Sequence, residues 1–184
     1  MGSQVLVIGL DATAPGAEQT GIDFHPGDAK RLLILGDDAA APAVCSILEQ
    51  LPTHAAEVEA VVEVPQLARK IEAGPDGHWT DSRGNRINIR WQEQLSERGD
   101  RLAEAIEDHL HRFPLPRCQQ DSPEEGPDDL LWDTPASPPQ EFYSWIAGKS
   151  TMVRRLRRIL VNDHGVDRRH IAFMSYWRHG SAGM

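Results

Sequence analysis

Two cysteines, Cys45 and Cys118, are all that 184 residues contain, so neither a disulfide framework nor a cysteine-built metal site can be assembled. A reducing compartment is expected, hence a cytoplasmic protein. No apolar run approaches the ~20 residues of a membrane span, and the Val5 to Leu10 run is too short, with no basic run before it, for a secretory signal. Several catalytic signatures are missing as well. Gly148-Lys149-Ser150 imitates the end of a P-loop, but the leading glycine is replaced by Tyr143. Gly-x-Ser-x-Gly is absent, which excludes the hydrolase elbow. Asp37 and Asp38 resemble the acidic pair of phospho-receiver domains, yet Ile89-Arg90-Trp91-Gln92 offers no phospho-accepting Asp at the end of the third strand. The eight histidines form no ligand set: His109 and His111 fall on different faces of a helix, and His164 and His170 flank a turn, so surface positions are expected for all four.

What is present is an ordinary globular composition, 40% hydrophobic and 26% charged, at a length suited to one domain. The net charge of −9 is uneven. Lys149 to Met184 holds eight Lys or Arg against two Asp, a local +6, which leaves −15 on residues 1–148. A basic region on an acidic body suits a small polyanion rather than nucleic acid.

Residues 4–10 have strand character and 11–28 form an aperiodic loop. Arg31 to Leu35 is an apolar run that ends in Gly36-Asp37-Asp38, and Pro42 opens a helix with Val44, Ile47, Leu48 and Leu51 on one side. A turn at the carboxyl end of a parallel strand is where open α/β sheets take ligands, with backbone N–H groups facing a phosphate. A plain strand-to-helix connection is the alternative. Val58 to Val64 is the second strand. Glu63, near its end, is the type of residue that accepts from a ribose 2′-hydroxyl and favours NADH, although the G-x-G-x-x-G fingerprint is missing. A short helix over 65–73, a loop over 74–85 and a third strand over 87–91 follow, and Asp100 is placed to cap a helix bearing Leu102, Ile106 and Leu110. Residues 113–140 are Pro-rich and acidic, a long loop with Leu130-Leu131-Trp132 inside it.

From Tyr143 onward the organisation sharpens. Phe142 to Ile146 is a buried strand, Ala147-Gly148 a tight turn, and Ser150 or Thr151 a cap for a helix with Met152, Val153, Leu156, Ile159 and Leu160 inward. Arg154, Arg155, Arg157 and Arg158 fill its other side, and Gly165 stops it. Ile171 to Tyr176 is the last strand. The pattern predicts an α/β fold, a doubly wound five-stranded parallel sheet in order 3-2-1-4-5, with the first and fourth turns side by side at the switch point.

Trp145-Ile146-Ala147-Gly148, the Arg-rich helix, Asp163-His164-Gly165-Val166-Asp167-Arg168 and above all Tyr176-Trp177-Arg178-His179-Gly180 resemble the C-terminal domain of siderophore-interacting proteins. Gly36-Asp37-Asp38-Ala39-Ala40-Ala41-Pro42-Ala43 is similar to that family's Gly-Asp-Glu-Thr-Ala-x-Pro-Ala turn, with Asp38 for Glu and Ala39 for Thr; Lys149 stands where the family usually has Glu. The resemblance implies a flavin-dependent ferric-siderophore reductase whose nicotinamide-nucleotide domain, like the C-terminal domain of ferredoxin reductases, spans residues 29–184. Residues 1–28 would then be the last strand and linker of an FAD-binding barrel absent from this sequence. NAD(P)H is expected at Gly36, Asp37, Asp38 and Ala39 and at Ala147, Gly148, Lys149 and Ser150. Tyr176 and Trp177 are expected to face FAD, and Arg178 the ferric siderophore. The alternative is a redox-inactive ligand- or partner-binding module.

Overall fold

The computed structural model describes residues 22–53, 55–66, 77–118, 132–133 and 141–178. The expected strand over 4–10, most of the short helix over 65–73 and most of the acidic loop lie outside them. In chain order the elements are β1 (Arg31–Asp37), α1 (Ala41–Glu49), β2 (Glu57–Val64), β3 (Gly77–Thr80), β4 (Arg86–Glu93), α2 (Asp100–Arg112), β5 (Trp132–Asp133), β6 (Phe142–Lys149), α3 (Ser150–Arg157) and β7 (Ile171–Trp177).

The expected five-stranded sheet is corrected to seven strands in the order β3-β4-β2-β1-β6-β7-β5. The pairs β1/β2, β1/β6, β2/β4 and β6/β7 are parallel, whereas β3 on β4 and β5 on β7 are antiparallel edges. Part of the expected 74–85 loop is therefore strand. It turns back at Asp81, whose Oδ1 accepts from the N–H groups of Arg83 and Asn85, both at 2.9 Å.

The central strands are buried on both faces, which is why they read as largely apolar runs, with Glu59 and Glu63 of β2 and Ser144 of β6 as buried polar interruptions. Leu32, Ile34, Val58 and Trp145 pack with α1 on one face; Leu33, Leu35, Val61 and Ile146 pack with α2 and α3 on the other. Burying a Leu or Ile side chain contributes roughly 1.5–3 kcal/mol.

The helix starts depart from expectation. Gly99, at φ 93°, holds the cap position of α2, and Glu63 reaches across from β2 to accept from the N–H groups of Gly99 (2.7 Å) and Arg101 (3.1 Å). Asp100 instead accepts from Glu97 N–H (2.9 Å) and pairs with Arg155 (2.7 Å). Neither Ser150 nor Thr151 caps α3; Lys149 precedes it in extended conformation. The helix runs on as a π-helical segment, Arg158–Asp163, and stops at Gly165 with φ 69°.

Two groups expected at the surface are inside. Arg157 is buried, its guanidinium 5.8 Å from the Phe173 ring. His109 is buried because Glu59 is its neighbour, with Nδ1 at 2.9 Å from Oε2. Glu59 also receives Arg112 Nη2 and Arg90 Nη2, each at 2.6 Å. Burial works to raise its pKa, and the His109 and Arg112 contacts outweigh burial, so the carboxyl sits below its ordinary value. A depressed carboxylate stabilises the fold above its unfolded pKa and loses that contribution as pH falls through the folded value. Glu59→Gln is therefore expected to cost about 1–2 kcal/mol at pH 7, with the two arginines partly solvated. The gap to wild type should close as urea titrations move below pH 4; a gap independent of pH would contradict the charge assignment.

Candidate functional site

Helix α1 leaves β1 on one face of the sheet and α3 leaves β6 on the other, although the two strands are neighbours. Their carboxyl ends form a topological switch point, the place where open α/β sheets bind ligands. Gly36, next to last in β1, lies under α1: a Cβ there would lie 2.9 Å from Ala40 Cβ and 3.3 Å from Val44 Cγ2. The helix packs close because the residue is glycine.

Asp37 ties this turn to the other. Its side chain is fully buried. Oδ1 accepts from the N–H groups of Ala39 (3.1 Å) and Ala40 (3.3 Å), closing its own turn. Oδ2 accepts from Lys149 N–H (2.9 Å) and from the indole Nε1–H of Trp177 (3.1 Å), while Arg98 Nη1 stands 3.4 Å away. Burial pushes the Asp37 carboxyl above its ordinary value, opposed by Lys149 N–H, Arg98 and the indole, with Asp38 adding to the rise.

Two irregularities bring these partners in. Gly148 has φ 143°, and a Cβ on it would meet Asp37 Cγ at 2.6 Å. Only glycine lets the β6 backbone pass the carboxylate at that distance. On β7, Ser175 pairs with Gly148 and Trp177 with Lys149, so Tyr176 is the extra residue of a bulge. The bulge separates the two rings that the sequence places together. Trp177 turns to Asp37, whereas Tyr176 stacks on Trp132 at 6.1 Å and meets Trp145 edge-on at 6.3 Å. Trp132 is the more exposed ring and donates through Nε1 to Asp23 Oδ2 at 3.1 Å.

Arg98 is a site residue that the sequence reading missed. It bonds to Asp38 and lies 5.3 Å from the Trp177 ring centre, and Lys149 Nζ lies 5.7 Å from the same ring. The available signal was its place just past the third parallel strand, where switch-point loops gather. Of the expected site residues, Asp37, Asp38, Gly148, Lys149 and Trp177 thus share one cluster, with Gly36 and Ala147 in its walls. Ala39 is exposed on the turn, Ser150 is buried as the first residue of α3, and Arg178 is exposed past the end of β7. His179 and Gly180 lie outside the described residues. Glu63 drops out as a ribose acceptor, since both its oxygens are engaged by α2. Burial nevertheless raises its pKa, against the two N–H groups that lower it. Among the described residues no cluster of His, Cys, Asp and Glu could hold a metal ion, and no helix is long and apolar enough to cross a membrane.

The sequence profile of siderophore-interacting proteins matches residues 29–180. The chain belongs to the siderophore-interacting protein family. Solved structures that share its fold include three with related names. The siderophore-interacting protein SipS from Aeromonas hydrophila is 22% identical, with a TM-score of 0.51 over 83% of this chain and 52% of that one. The siderophore-interacting protein from Acinetobacter baumannii is 17% identical, with a TM-score of 0.54 over 87% and 51%. A siderophore utilization protein from T. fusca is 21% identical, with a TM-score of 0.52 over 85% and 48%. The chain spans about half the length of these proteins. No curated protein matches it.

Proposed function

We propose that the chain is the nicotinamide-nucleotide-binding domain of a siderophore-interacting, flavin-dependent ferric-siderophore reductase, acting in iron release. NAD(P)H would lie across the β1/β6 switch point, FAD would come from a partner barrel domain, and the ferric siderophore would meet Arg178. The observation that carries the reading is the Asp37 clasp, which fixes both strand-end turns and holds a lysine and an indole beside them. An ammonium suits a pyrophosphate, and a ring suits a planar heterocycle. The residues present therefore fit a dinucleotide.

Hydride transfer is chemistry that the nicotinamide and the flavin supply when bound. The part of this chain is to bind and orient. Lys149, half-buried at the turn before α3, carries positive charge at the crevice; Arg98 is already matched by Asp37 and Asp38. Ala39 has no hydroxyl to offer, and its N–H is already bonded to Asp37. Arg178 presents a guanidinium able to hold a carboxylate or catecholate by paired hydrogen bonds.

Calorimetry with NADH and NADPH tests the site. Lys149→Ala is expected to weaken binding roughly 3- to 10-fold, the loss of one charge-assisted contact. No heat at millimolar nucleotide, or equal affinity in the variant, would overturn the assignment.

The second reading, a redox-inactive ligand- or partner-binding module, is favoured by one observation. Trp177 is already engaged by Asp37, Arg98 and Lys149, so a stacking ligand must displace a cation from its ring. Tightly bound yellow flavin in the purified protein would contradict that module.

A further inference from the structure

A cavity of about 340 Å³ opens at the far end of the sheet, where β1, β2 and β4 begin. Its floor carries Glu57 and Glu59 from β2 and Asn88 from β4. One wall is the last turn of α2 with His109 and Arg112, closed by Phe113; the other is His78 and Thr80 of β3. The space arises because α2 packs on β2 and β1, so that among the described residues β4 and β3 flank the cavity without a helix over them.

The charges lining it pair off, and one more cation stands just behind them. Arg86 Nη2 pairs with Glu57 at 2.7 Å, while Arg112, Arg90 and His109 all converge on the single carboxylate of Glu59. Arg90 bonds Glu59 without lining the cavity, so Arg86, Arg90 and Arg112 together stand against Glu57 and Glu59, an excess of +1 for the five side chains. Arg86 and Arg112 each give Nη2 to a glutamate, and among the described residues Nη1 of each has no partner. They stand on different walls, one on β4 and one on α2. Glu59, by contrast, is buried with both oxygens engaged by Arg90, Arg112 and His109, so it holds the arginines in place rather than meeting a ligand. The volume is at the small end of ligand pockets, well above one inorganic ion and too small for a dinucleotide.

We propose that this cavity binds a small organic dianion of the dicarboxylate class, with Arg86 and Arg112 as its two anchors. Two separated guanidiniums select for two carboxylates, since a charge-assisted pair at each end multiplies affinity whereas a monoanion reaches only one. The site lies at the opposite end of the strands from the switch point and stands independently of the nucleotide reading.

The test is an amide NMR titration of the full chain with succinate, and with butyrate as the monoanion of equal carbon length. Saturable shifts are expected at 57–59, 86–88 and 109–113, with butyrate at least about 10-fold weaker. Arg86 has 69% of its side chain exposed, so Arg86→Ala should fold normally. It is expected to bring succinate down to the affinity of butyrate while leaving NAD(P)H binding unchanged. No saturable shift at these amides, equal affinity for the two acids, or succinate binding unaltered by Arg86→Ala would each overturn the proposal.

Discussion

Replacing Asp37 by alanine is expected to lower the unfolding free energy by about 3–5 kcal/mol, as removal of one partner from a buried hydrogen-bonded charge does. The variant would strand three donors at once. Lys149 N–H, the Trp177 indole and Ala39 N–H would lose their acceptor, Arg98 would keep Asp38, and Ala40 N–H would keep its bond to the carbonyl of residue 37. Urea denaturation reads the loss, and a change under about 1 kcal/mol would mean that the clasp is incidental. Asp37→Asn separates charge from hydrogen bonding, because the amide keeps one acceptor. The raised folded pKa fixes the sign of its pH dependence. A carboxyl that is easier to protonate when folded adds stability below its unfolded pKa, and that addition is lost as pH rises through the folded value. The margin of wild type over Asp37→Asn should therefore shrink from pH 3 toward pH 7, opposite in direction to the Glu59→Gln comparison.

Apolar periodicity was enough to find the central strands and their helices. Leu32 to Leu35, Val58 to Val64 and Phe142 to Ala147 are buried on both faces, so each appears as a largely apolar run, interrupted by Glu59 and Glu63 in the second and Ser144 in the third, rather than as the regular alternation of a half-solvated strand. The edge strands escape because they have no such run. β3 is four residues, β5 is two, and each exists through its neighbour's free edge rather than its own composition. Polar side chains escape for a related reason. Asp37 and Trp177 stand 140 residues apart, Glu59 and His109 stand 50 apart, and nothing in local spacing says that either pair will meet. The two turns at the switch point were legible by position in the α/β pattern; that they are joined through one carboxylate was not. Glu63 illustrates the cost of reading a residue by its place alone. It sits where a ribose acceptor belongs, and the fold uses it to cap α2.

Gly148→Ala is the sharpest test of how tightly those turns are joined. Its φ of 143° is one that residues with a Cβ rarely adopt, and the added carbon would stand 2.6 Å from Asp37 Cγ and 2.7 Å from both carboxylate oxygens. Backbone strain of roughly 1–2 kcal/mol and overpacking of roughly 1–3 kcal/mol give an expected loss of about 3 kcal/mol. The two contributions can be told apart. In the double variant Asp37→Ala/Gly148→Ala the carboxylate is gone, so the steric part vanishes while the strain stays. The double loss should then fall short of the sum of the singles by about 1–3 kcal/mol. Additive losses would mean that Gly148 acts through its own backbone alone and that no close approach constrains the turn. A bulky residue at position 148, by the same geometry, unseats Asp37 before it reaches any ligand, so lost nucleotide binding in such a variant reports on the fold. Lys149→Ala leaves the β6 backbone and its N–H to Asp37 in place, and the two substitutions together separate the clasp from the crevice it supports.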